Sequence, residues 1–60
     1  GVEYKLKSAV SSKADIFLVP NGENYETAMR IKKEKNYKIN VIGINNFDDA
    51  LFYLDKLPNK

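Results

Sequence analysis

The chain contains neither cysteine nor histidine. Without cysteine there is no disulfide and no thiolate metal site to staple so short a domain. Without histidine, the commonest metal ligand and the side chain that titrates near neutral pH are both missing. Zinc hydrolase, cysteine protease and Ser-His-Asp chemistry are therefore excluded within these residues, and the sequence offers no metal, nucleotide or other cofactor site. Charge of one sign is also lacking: ten basic residues stand against eight acidic ones, a net charge of +2. That is an ordinary mixed surface, not a nucleic-acid signature. Long apolar runs are absent too. The longest, Ile16-Phe17-Leu18-Val19, has four residues, against the roughly 18 that a membrane span needs. No signal peptide is visible.

Sixty residues make one small unit. A unit this short buries only about 60% of the surface its unfolded chain exposes, so its stability is marginal. The sequence opens on Gly1 and enters patterned residues at once, which leads us to expect a piece of a longer protein.

Val2, Leu6, Ala9 and Val10 fall at i, i+4, i+7 and i+8 and predict a one-faced helix. Lys13-Ala14-Asp15 is a short connection. Ile16 to Val19 is continuously apolar and is stopped by Pro20-Asn21-Gly22, strong turn chemistry. Such a run predicts a strand buried on both faces, as in a parallel sheet. Asn24 is the expected N-cap of a second helix, with Glu26 in its first turn. Tyr25, Ala28, Met29 and Ile31 form its apolar face, and Asn36 is its expected stop. Lys38 to Ile44 predicts a second strand. Asn45 or Asn46 caps a third helix, with Asp48 and Asp49 in the first turn. Phe47, Ala50, Leu51, Leu54 and Leu57 share one face of it, and Pro58 ends it. The fold class is thus α/β: helix–strand–helix–strand–helix, containing a right-handed parallel βαβ unit. Two strands leave free edges, so the pattern predicts part of a larger sheet.

The run Gly1-Val2-Glu3-Tyr4-Lys5-Leu6-Lys7-Ser8-Ala9-Val10 resembles the stretch around the catalytic lysine of the Lon-type proteolytic domain, roughly Gly-Gly-hydrophobic-x-x-Lys-x-x-Ala-Ala. Ala14-Asp15-Ile16-Phe17-Leu18-Val19-Pro20 resembles the strand that follows that lysine helix. Asn24-Tyr25-Glu26-Thr27-Ala28 and Ile39-Asn40-Val41-Ile42-Gly43-Ile44 continue the likeness, as does Asn46-Phe47-Asp48-Asp49-Ala50-Leu51-Phe52-Tyr53-Leu54. The wording is most similar to the PDZ-containing, membrane-anchored Lon-like proteases of Gram-positive bacteria. The resemblance runs from Gly1 to about Leu57 and corresponds to the C-terminal third or so of the proteolytic domain. It implies residues 1–57 as that portion and 58–60 as a C-terminal tail. There are departures. The first family glycine is missing, Val10 replaces the second alanine, and Lys13 stands where a glycine is usual near the end of the lysine helix. If position 13 needs a positive φ, lysine carries a steric cost that glycine does not.

The resemblance implies a serine endopeptidase in which Lys5 is the base of a Ser-Lys dyad. A serine hydroxyl is a poor nucleophile until its proton is removed, and lysine removes it only when neutral. Burial and a helix N-terminus both favour the neutral amine. Lys5 is expected on a first helical turn, with Val2, Leu6 and Ala9 as apolar walls. The plainer reading is that a lysine on a helix is a solvated surface charge. The serine itself is not in view: the family's nucleophile precedes the lysine by several tens of residues, in a small, glycine-flanked segment. Ser8 lies at i+3 from Lys5, but Ser8, Ser11 and Ser12 are better read as solvating or ending the helix. The isolated chain is therefore expected to be inactive. The implied partners are a polypeptide substrate and further copies in a ring or other self-association. The implied location is an extracytoplasmic domain of a membrane-anchored bacterial parent.

Other features read as structural. Asp48 and Asp49 complement a helix dipole. Arg30, Lys32, Lys33, Lys35 and Lys38, interrupted by Glu34, form a solvated face without any nucleic-acid motif. The four tyrosines are expected in the core or at its edge. The alternative function, of a different class, is a non-catalytic α/β interaction or oligomer-contact module.

Overall fold

The structure is a computed structural model that describes residues 1–56. Leu57, Pro58 and the expected 58–60 tail lie outside the described residues. The elements follow the order α1 (Val2–Ser11), β1 (Ile16–Pro20), α2 (Glu23–Lys35), β2 (Asn40–Ile44) and α3 (Phe47–Leu54). The two strands pair in parallel, with Phe17 opposite Val41 and Pro20 opposite Ile44. This is a small α/β unit of three helices and a two-stranded parallel sheet.

Alternation along the strands puts Phe17, Val19 and Val41 on one face. There α2 lies across both strands and contributes Ala28 and Ile31, while α1 inserts Leu6. Leu6 and Ala28 are completely buried, and Val19, Ile31, Ile39 and Val41 nearly so. Val2, Ala9, Val10, Tyr25 and Tyr37 pack around this cluster.

The expectation of strands buried on both faces is corrected. Ile16, Leu18, Ile42 and Ile44, on the opposite face, are only half-buried. The reason is placement: the cores of α1 and α2 join on one side, and α3 leans on β2 without burying any residue of its own. The apolar stripe of α3 is accordingly open, with Phe47 75%, Leu54 48% and Leu51 42% exposed. Tyr4 is likewise corrected from core edge to surface, since it is 75% exposed. No helix among the described residues is long and apolar enough to cross a membrane.

Helix ends explain the remaining boundary shifts. α2 starts two residues earlier than expected: Gly22, not Asn24, is its N-cap, at φ 104° and ψ −139°. That backbone conformation suits glycine, so the helix begins directly after it and gains both Glu23 and Glu26 in its first turn. Asn24 sits inside the helix. At the other end Asn36 adopts the left-handed conformation, φ 56°. Its N–H donates to Lys33 O at 3.3 Å and the Tyr37 N–H to Lys32 O at 3.0 Å, a Schellman closure. Because that closure consumes Tyr37, β2 starts at Asn40 rather than Lys38.

The same closure ends α1. Lys13 N–H donates to Val10 O and Ala14 N–H to Ala9 O, both at 3.0 Å, and Lys13 has φ 62°. Position 13 therefore does use the conformation that glycine tolerates best. Ser12 assists, its Oγ donating to Ser8 O at 3.0 Å and Ala9 O at 3.1 Å. At α3, Asn46 is the cap: Asp49 N–H donates to Asn46 Oδ1 at 2.9 Å. Asp49 reciprocates one residue further back, its Oδ2 accepting the Asn45 N–H at 2.9 Å.

Candidate functional site

Helix direction decides where a site can be built. The end of α1 (Val10, Lys13) and the end of α2 (Asn36) line one open cleft of about 660 Å³ together with Asn40 at the start of β2. Both helices thus end at the amino edge of the sheet and begin toward its carboxyl edge. α3 begins there as well, directly after β2. Three helix N-termini, each with partial positive charge, are gathered on the side where open α/β sheets bind ligands.

Lys5 belongs to this side. Its backbone N–H makes the first i→i−4 bond of α1, to Gly1 O at 3.2 Å, which puts it on the first turn as expected. Val2 and Ala9, three residues before and four after, are half-buried, whereas Leu6 turns fully inward. The Lys5 side chain is exposed. The expected apolar walls are therefore partial within these residues. Ser8 is exposed on the same helix. Among the described residues the lysine amine that donates to another side chain is that of Lys38, to Asn36 Oδ1 at 3.4 Å, so no Ser8–Lys5 pair forms.

The structure brings together a second group that the sequence reading did not single out. Asn21 follows β1 and Asn45 follows β2, and the strand register sets them side by side. Asn21 N–H extends the ladder to Ile44 O at 2.8 Å. Its Nδ2 donates to Asn45 Oδ1, also at 2.8 Å. The carboxamide lies over Gly43, where a Cβ would overlap Asn21 Oδ1 and stand 2.9 Å from the Tyr25 ring. Beside this latch is a groove of about 320 Å³ lined by Pro20, Ile44, Asn45, Asn46, Phe47 and Ala50. The signal for it was present in the sequence: an asparagine directly after Pro20 at the end of the first strand and another directly after Ile44 at the end of the second. Only the pairing register turns that coincidence into a contact.

The basic residues of α2 behave as a solvated face. Arg30 and Glu34 pair at 3.3 Å with both side chains mostly exposed, an interaction worth about 0.3–0.5 kcal/mol. No protein-family model matches this chain, and neither a curated protein nor a solved structure matches it.

Proposed function

We propose that residues 1–57 are the C-terminal portion of a Lon-type serine endopeptidase domain, with Lys5 as the base of its Ser-Lys dyad. The observation that carries this reading is the position of Lys5, on the first turn of α1, a helix that packs on α2 beside a parallel sheet. The left-handed backbone at Lys13 adds support, because the family pattern has a glycine at that place. In this reading the serine comes from polypeptide preceding Gly1. Its hydroxyl proton passes to the neutral Lys5 amine as the serine oxygen attacks the peptide carbonyl carbon. The ammonium then returns the proton to the departing amine, and water hydrolyses the acyl-serine ester. The preceding polypeptide also supplies the dry walls that these residues only begin.

A direct test compares peptide hydrolysis by the 60-residue chain and by a longer polypeptide that includes the preceding segment. The reading expects turnover only from the longer one. It also requires another glycine just before Gly1 and, further upstream, a serine flanked by small residues. A parent sequence with neither defeats the assignment.

A second reading is favoured by the exposure of Lys5 together with the open stripe of α3. In it the chain is a non-catalytic α/β interaction module. Self-association, in a ring or otherwise, fits both readings, since the stripe is open and the second sheet face is apolar and only half-buried.

A further inference from the structure

We propose that Asn21 is a site of spontaneous deamidation, held in check by its hydrogen bond to Asn45; this is independent of the peptidase reading. The reaction needs a backbone nitrogen able to reach the preceding asparagine's Cγ. Gly22 supplies it. Gly22 has no side chain to crowd ring closure, and beyond its chain neighbours its surroundings are open, since an added Cβ would meet nothing within 4 Å. Both residues are exposed to water, and Gly22 N–H, ahead of the first turn of α2, is not committed to a helical bond.

The step balances with water as the only co-reactant. Gly22 N loses its proton to solvent base and bonds to Asn21 Cγ. The Cγ–Nδ2 bond breaks and ammonia leaves, giving a cyclic imide. Water then adds to either imide carbonyl and opens the ring to aspartate or isoaspartate. The resulting carboxylate lies just before α2, where the helix dipole accommodates negative charge.

The other described asparagines lack this combination. Asn24 lies in α2 and precedes Tyr25, Asn36 precedes Tyr37, Asn40 pairs in β2 before Val41, and Asn46 precedes Phe47. Asn45 precedes Asn46, which carries a side chain where Gly22 has none. A following residue larger than glycine opposes ring closure at each.

The restraint is modest. An exposed neutral hydrogen bond contributes about 1 kcal/mol net. Asn45→Ala should therefore speed conversion at position 21 by up to about fivefold. The experiment holds the folded chain in mildly alkaline buffer and follows each asparagine by peptide mapping and mass spectrometry, with an isoaspartate assay. The expected result is conversion at Asn21 ahead of the others, part of it isoaspartate, with loss of that product in Asn21→Gln. Conversion at another asparagine first, or none at Asn21, would overturn the proposal. An unchanged rate in Asn45→Ala, with circular dichroism unaltered, would overturn the restraining role of Asn45.

Discussion

The carboxamide of Asn21 lies across Gly43, so that position 43 has room for a hydrogen and not for a methyl group. One residue's side chain thereby dictates another residue's lack of one. The same carboxamide donates to Asn45 Oδ1 and so joins the carboxyl end of β1 to that of β2.

Gly43→Ala should lower stability by about 1–3 kcal/mol, the usual range for overpacking. Asn21 is surface-exposed and can swing away, at the loss of its bond to Asn45. The half-buried Tyr25 ring, 2.9 Å from the new Cβ, has less freedom. Urea titration of the variant checks this; an unchanged midpoint would show that the carboxamide does not depend on a bare position 43.

Lys13→Gly should raise stability by about 0.5–1 kcal/mol. A left-handed residue with a Cβ costs about 1–2 kcal/mol, and the greater freedom of glycine in the unfolded chain takes back part of the gain. Asn36→Gly should do much less, because asparagine tolerates that conformation. Thermal unfolding of the two variants side by side reads the difference.

Asn46→Ala should destabilise by about 1 kcal/mol, since it removes the acceptor for the Asp49 N–H at the start of α3. The loss should appear as fraying of α3 in amide hydrogen exchange, with the core around Leu6 and Ala28 unaffected.

The open stripe of α3 should drive association of the isolated chain. Leu51→Lys, and Phe47→Lys independently, should shift sedimentation toward monomer, because each removes a large exposed apolar side chain from the stripe. A wild-type chain that is strictly monomeric at high concentration would show that these residues do not mediate contact.

The order of elements was legible because periodicity alone carries it. Leu6 with Ala9 and Val10 reads as helix, Ile16 to Val19 as strand, and Asn36 and Asn46 as stops and caps. What could not be read is where the chain is covered. Ile16 and Leu18 have the composition of a doubly buried strand, yet the helices gather on one side, and no local pattern encodes that choice. The Asn24 cap was misplaced because Gly22, in a glycine-only conformation, opens the helix without a capping side chain. At the candidate site, the first-turn position of Lys5 was legible from spacing. Its surroundings were not, because the cover over a side chain comes from segments distant in sequence, and Val2 and Ala9 beside it are only half-buried.

The most direct measurement is peptide cleavage by the longer polypeptide carrying Lys5→Ala. Turnover should disappear while circular dichroism stays as in the parent, since Lys5 lies outside the hydrophobic cluster around Leu6 and Ala28. Cleavage that persists at the parental rate in that variant would contradict a proton-accepting role for Lys5 and leave the interaction module as the better description.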